Sequence, residues 1–294
     1  MKIDKIILGT AQLGLDYGIN NSEGKPSLEK SFDILNLAYS LGIRTLDTAE
    51  AYGDAHKVIE LFHNSVDFRF KIITKYSSKV KEYPVEISKR IEQHCKNFDL
   101  QVLEGYMFHS HDELKKALLV DKLILKKLNQ NKFVRKIGVS VYTNSQVEDV
   151  LNYKEIDLIQ LPFNLFDNES LRKITLLKAK DNNIEIHTRS AFFQGLFFKD
   201  IDKLKGQLLG FKKDLFFLDE VVKRNKIKKM DLALNYPISK EYIDKVLIGV
   251  DNVKQLHENI KSLNEFKKWS VFNAIDNYIN IINKELLNPS KWDQ

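Results

Sequence analysis

The chain is poor in the residues that staple or interrupt small folds. Its 294 residues include one cysteine, Cys95, which excludes a disulfide within the chain and a multi-thiolate zinc site. A lone thiol suits a reducing compartment, and the expected location is the cytoplasm. Five prolines and twelve glycines are too few for a collagen-like or low-complexity chain. No apolar run approaches the roughly 18 residues that a membrane span needs. The opening MKIDKIILG has too short an apolar segment for a secretory signal and no small-residue cleavage site. Charge of one sign is not in large excess either: 46 basic against 40 acidic residues give a net +6. A nucleic-acid footprint needs basic charge gathered on one face, whereas these lysines are dispersed among carboxylates. The densest run, Lys223 to Met230, has no interleaved aromatics for base stacking and reads as a solvated helix face. Neither a nucleic acid nor a membrane is an expected partner.

What the sequence does have is alternation. Short β-branched runs at Lys5–Gly9, Ile43–Asp47, Phe68–Lys75, Val102–His109, Val134–Ser140, Glu155–Gln160, Ile184–Ser190 and Lys245–Gly249 read as strands. Longer amphipathic segments separate them. Ser27 stands as an N-cap before Phe32, Leu35, Leu37, Ala38 and Leu41; further helices are expected over Asp54–Phe62, Pro84–Cys95 and Asp112–Gln130. Others follow from Asn144, over Glu169–Lys180, up to about Asn235, and from Val253 to about Leu263. Strands separated by helices imply parallel pairing with right-handed crossovers, and eight such units are what a closed (β/α)8 TIM barrel requires. An open doubly wound sheet would usually carry G-x-G-x-x-G after its first strand, and GTAQLGLDYG lacks that spacing. With no break in composition, residues 1–294 are expected to form one domain. Because the first strand begins almost at once, any hairpin closing the barrel bottom is expected to be shortened or absent.

In such a barrel the chemistry gathers where the strands end, since only the βα loops share that face. Here the predicted strands end in Asp47, Lys75, His109, Ser140, Gln160, Arg189–Ser190 and Gly249. Taken singly, each has a structural explanation as a cap, a surface charge or a core histidine. Together, several ionisable groups on one face point to catalysis. His109 and His111 alternate on one strand, but no carboxylate or cysteine nearby completes a ligand set, so no metal is expected. His111 is expected in the following loop, near the substrate mouth.

The strings LDTAEAYG (Leu46–Gly53), ITK (Ile73–Lys75) and MFH (Met107–His109), in this order on these strands, resemble the aldo-keto reductases. The resemblance runs on through KIGVS, LIQLPFN, SAFFQGL and LIGVDNVKQLHENI and covers nearly the whole chain. It implies a metal-free barrel that reduces an aldehyde, ketone or sugar carbonyl with a nicotinamide cofactor, using Asp47, Tyr52, Lys75 and His109. Tyr52 would be the general acid, its pKa lowered by Lys75, with Asp47 as counter-charge to the lysine and a neutral His109 hydrogen-bonding the carbonyl oxygen.

The resemblance further implies cofactor contacts from Gly9 and Thr10, and from Ser140 and Gln160 at the carboxamide. Arg189 stands where many members stack an aromatic on the nicotinamide. Ser190, Gln194, Gly195 and Leu196 would follow the pyrophosphate, with Gly249, Gln255 and Asn259 at the adenosine end. Val141 replaces an asparagine common after the serine. NADPH is the family default, but Asp251 would repel a 2′-phosphate, so NADH stays open. The long loop Leu15–Ser27, with Asp16 and Tyr17, could line the mouth. The aromatic stretch Phe197–Phe217 could cover the cofactor or pack outside the barrel. Two other classes fit parts of the sequence: a nicotinamide-binding sensor with little turnover, and a non-redox barrel lyase or isomerase that binds no cofactor.

Overall fold

A computed structural model describes residues 2–18, 21, 24–83, 86–279, 281, 284–289 and 292. Eight strands run in parallel register: β1 (Ile6–Gly9), β2 (Thr45–Asp47), β3 (Lys71–Tyr76), β4 (Gly105–Phe108), β5 (Ile137–Ser140), β6 (Leu158–Pro162), β7 (Glu185–Arg189) and β8 (Lys245–Ile248). Each pairs with its sequence neighbour, and β8 pairs with β1 through Ile6–Val246, Ile7–Leu247 and Leu8–Ile248, closing the barrel.

The closure sorts side chains by parity. Ile7, Ile73, Met107, Leu158 and Leu247 form a small buried cluster of their own inside the cylinder. The strand residues between them, such as Leu8, Leu46, Ile72, Phe108 and Val139, join the larger core under the helices. Period two on a closed sheet therefore makes two cores, one inside and one outside. The inner parity continues upward from Ile73 to Lys75 and from Leu158 to Gln160, which brings the polar strand ends to one rim.

The strands agree with the sequence reading to within three residues at either end. Several helices differ. Asp112–Gln130 is two helices, His111–Val120 and Ile124–Asn129, because Asp121 turns extended and its carboxylate accepts the amide of Leu123, competing with the helical ladder. The segment up to Asn235 is also two helices, Lys212–Asn225 and Lys229–Ile238. The first ends where Lys226 takes a left-handed conformation and Ile227 donates back to Val222. The basic run Lys223–Met230 therefore straddles a helix break rather than covering one face. The proline start of the Pro84–Cys95 helix lies outside the described residues; the helix itself covers Ile87–Asn97. A helix at Val271–Tyr278 was not anticipated.

Ahead of β1, the described residues form one 3-10 turn, Lys2–Lys5. Ser27 does cap its helix, accepting from Lys30. Among the described residues no helix is long and apolar enough to cross a membrane.

Candidate active site

The loop after β2 carries the key tyrosine, and it is held by backbone bonds before any side chain acts. Thr48 and Glu50 donate to the carbonyls of Ile73 and Lys75, so the ladder continues past the strand end. The chain then turns: Tyr52 donates to Ala49, and Ala55 donates to Tyr52. Gly53 sits at φ +49°, and a Cβ there would collide with the carbonyl oxygen of Gly14. A Cβ on Gly14 would in turn strike the carbonyl oxygen of Tyr52. The loops above β1 and β2 pack backbone against backbone, which only glycine allows.

Below the loop lies a buried charge cluster. Glu50 takes four donors: the Ser77 amide at 3.0 Å, Arg90 at 2.6 Å, His94 at 3.0 Å and the Tyr106 hydroxyl at 2.7 Å. These donors outweigh burial and hold its carboxyl below the usual range.

Lys75 is 1% exposed; its ammonium is paired with Asp47 Oδ1 and donates to the Thr48 carbonyl at 3.0 Å. The other carboxylate oxygen of Asp47 accepts Gln160 Nε2 at 2.8 Å, and its backbone carbonyl accepts both the amide and the hydroxyl of Thr10. Burial pulls the Lys75 pKa down while Asp47 resists.

Tyr52 lies over this pair, with the ammonium 5.2 Å from its ring centroid and the His109 ring edge-on at 5.5 Å. Desolvation, then the Asp47 charge, push the phenol well above its usual range; Arg189 opposes them. The expectation that Lys75 lowers the Tyr52 pKa is therefore corrected. The lysine is neutralised by its own carboxylate and faces the ring, so low dielectric decides. Burial, then the positive charges of Lys75 and Arg189, bring His109 down to about 3 and keep it neutral at pH 7.

A cleft of about 440 Å³ runs from Tyr52 to Asn259. Of the residues named from sequence, Gly9, Thr10, Asp47, Tyr52, Gln160, Arg189, Ser190, Gln194, Gly195, Gly249, Gln255 and Asn259 line it. Lys75 and His109 stand behind Asp47 and Tyr52. Ser140 is buried and Leu196 fully so, and neither side chain lines the cleft. Leu196 packs into the outer core, while Ser140 shares the inner parity of Gln160, its register partner, and is buried beside it.

His111 is not at the mouth. It opens the helix after β4, and its Nε2 bonds Asp149 at 2.8 Å. Among the described residues no group of three or more His, Cys, Asp or Glu could hold a metal ion. Asp16 is tied to the amide of Lys25, while Tyr17 lines the cleft. In the stretch after β7, Phe197 and Phe211 pack with Phe166 in the core, whereas Phe198 reaches the cleft. Gln12, Lys228, Met230 and Glu258 also line the cleft and were missed. Lys228 lies in the extended break between two helices that the sequence reading had merged.

A dinucleotide fits this arm of the cleft. Ser190, Phe193 and Gln194 hold left-handed φ of 62°, 49° and 54° without being glycine, and Gly195 stands at 93°. Each such non-glycine residue costs on the order of 1 kcal/mol or more, strain of the kind that collects where backbone meets a ligand; within the turn the amides of Phe193 and Gly195 donate to Ser190 and Phe192. Gln160, with its nitrogen committed to Asp47, has its carbonyl left as an acceptor.

An eight-stranded parallel barrel with a buried lysine–aspartate pair beneath a tyrosine and a histidine at its rim defines a class, and comparison with known proteins agrees. The profile of the Aldo/keto reductase family matches residues 5–280, and the chain belongs to that family of oxidoreductases. It is 22% identical to the aldo-keto reductase YhdN of Bacillus subtilis (strain 168), over 96% of this chain and 90% of that protein. Among solved structures it is similar to the holo form of aldo-keto reductase AKR11C1 from Bacillus halodurans. That match has a TM-score of 0.74 and 15% identity and covers 94% of this chain and 92% of the other. It is also similar to the glycerol dehydrogenase AKR11B4 from Gluconobacter oxydans. There the TM-score is 0.66 and the identity 18%, covering 97% and 93%.

Proposed function

We propose that this protein reduces a small aldehyde, ketone or sugar carbonyl to the alcohol, with Tyr52 as the proton donor. The observation that carries this reading is the stack of Tyr52 over the buried Lys75–Asp47 pair, with His109 at its edge and the cleft beginning beside it. A nicotinamide cofactor, when bound, would supply the hydride. The residues of the chain handle the oxygen.

His109 is neutral, so one ring nitrogen can donate to the carbonyl oxygen as charge develops there. Tyr52 keeps its proton through the neutral range, and an alkoxide is a stronger base than a phenolate, so transfer from the phenol hydroxyl to the oxygen runs downhill. Lys75 and Arg189 then stand near the phenolate that remains. A positioned acid of this kind is worth roughly 10²–10⁴-fold in rate.

Asp47 acts at one remove. It keeps the Lys75 ammonium charged in a dry site and fixes the Gln160 amide, whose oxygen would meet the carboxamide. The strained segment Ser190–Gly195 would hold the pyrophosphate, and Gly249, Gln255 and Asn259 the adenosine. Arg189 lies over the Tyr142 ring, 4.3 Å from its centroid, at the same end of the cleft as Tyr52.

Cofactor preference rests on the far end of the cleft, where Asp251 and Glu258 stand with Lys228. Two carboxylates against one lysine weaken 2′-phosphate binding, so NADH is accepted alongside NADPH. A glycerol dehydrogenase among the fold relatives adds small polyhydroxylated carbonyls to the candidate substrates. Oxidation of each reduced cofactor with a panel of aldehydes, ketones and ketosugars tests the reading. Turnover with at least one carbonyl is expected, and cofactor binding with no turnover would favour a sensor.

A further inference from the structure

Among the described residues, Arg189 is a cation at the candidate reaction site with no carboxylate partner. It ends β7 on the inner parity and lines the cleft with Tyr52; among the described residues its guanidinium makes one side-chain hydrogen bond, a long one of 3.5 Å to the Ser190 hydroxyl. The two buried carboxylates near it are already engaged. Asp47 is divided between Lys75 and Gln160. Asp167 is held by both Nε and Nη2 of Arg172, at 2.6 and 2.7 Å. With His109 neutral, the rim around the reacting carbon carries Lys75, Arg189 and one carboxylate. That is one positive charge in excess.

The guanidinium is also held in place. Its face rests on Tyr142, whose amide donates to Gln146 at 2.7 Å and whose carbonyl accepts Arg172 at 2.6 Å. A guanidinium stacked by its face keeps its edge for planar, bidentate hydrogen bonding. Packing could have filled this position with an apolar side chain. Arg189 is half-buried, so a ligand that covered it in the cleft would have to supply the counter-charge.

We propose that Arg189 determines substrate class: its edge receives an anionic group, carboxylate or phosphate, carried by the same molecule as the reacting carbonyl. This rests on the reading of the protein as a carbonyl reductase and narrows it to anionic aldehydes and ketones. Arg189 is here a specificity residue, and its effect is a ratio between matched substrates rather than a loss of all activity.

The test uses two matched pairs, 4-oxobutanoate with butanal and glyceraldehyde 3-phosphate with glyceraldehyde, on holoenzyme of the wild type, Arg189→Gln and Arg189→Lys. In the wild type, kcat/KM favours at least one anionic member over its neutral partner by roughly 10- to 100-fold, the worth of a hydrogen bond to a charged group. Which pair responds separates carboxylate from phosphate. Arg189→Gln brings that ratio towards one, Arg189→Lys keeps part of it, and added salt lowers only the anionic rate. A wild type that treats both members of each pair alike, or an Arg189→Gln enzyme that slows both members equally, overturns the proposal. Turnover of none of the four would count against the carbonyl-reductase reading instead. The anion site is then judged by calorimetric titration of the unreactive 4-hydroxybutanoate and glycerol 3-phosphate into wild type and Arg189→Gln. Arginine-dependent heat supports the site; no heat from either compound in the wild type overturns it.

Discussion

Gly53 lies with its α-carbon against the carbonyl oxygen of Gly14, at a φ of +49° that a side chain would resist. That contact sets the height of Tyr52 above the lysine–aspartate pair. Gly53→Ala and Gly14→Ala are therefore expected to act on catalysis as well as on stability. A shift of about 1 Å in the proposed proton donor costs on the order of 10²-fold in rate. Steady-state kcat beside a thermal melt checks this: both should fall, and a variant with lowered Tm but unchanged kcat would separate the contact from the chemistry.

Glu50 is a second support for the same loop. With Ser77, Arg90, His94 and Tyr106 all donating to it, Glu50→Gln removes the buried negative charge that the Arg90 guanidinium pairs with at 2.6 Å. Breaking a buried pair in this way costs about 3–5 kcal/mol. Denaturant unfolding of the variant should show a loss of that order, and a loss below 1 kcal/mol would mean that the cluster is not stabilised by charge.

The barrel and most of the rim were legible because two simple rules reach them. Period-two apolar runs separated by helical stripes identify parallel strands, and strand ends in a parallel barrel share a face. Asp47, Lys75, Gln160 and Arg189 fall on the inner parity and were found. Gln12, Lys228 and Met230 were not, since they reach the cleft by tertiary packing that no local pattern records. Helix breaks at Asp121 and Lys226 were missed because apolar periodicity continues across both. The acidity of Tyr52 was misjudged for a physical reason: proximity to a lysine lowers a phenol's pKa only when the lysine's charge is not already answered, and Asp47 answers it.

His109 carries a pH signature. Its pKa in the fold, about 3, is below the ordinary value of 6.5 that it regains on unfolding, so the unfolded chain takes up the proton first. Its contribution to stability is complete above about pH 6.5 and is lost as pH falls towards 3. His109→Phe should flatten the fall of Tm over that window relative to wild type. Parallel curves for the two proteins would place the histidine in a more solvated setting.

On the proposed reading, the far end of the cleft sets cofactor choice. Asp251 accepts from Gln255 Nε2 at 3.0 Å and donates its amide to Gln255 Oε1 at 2.9 Å, which fixes its carboxylate there. Asp251→Asn should lower the Kd for NADPH several-fold and leave that for NADH nearly unchanged. An equal change in both would remove Asp251 from the choice.

The most direct test of the account is Tyr52→Phe, which removes one hydroxyl from a ring whose packing on Lys75 and His109 is kept. Turnover with the best carbonyl substrate should fall by roughly 10²–10⁴-fold or more while the Kd for the nicotinamide cofactor stays within a few-fold of wild type. A Tyr52→Phe enzyme that turns over at the wild-type rate would contradict it.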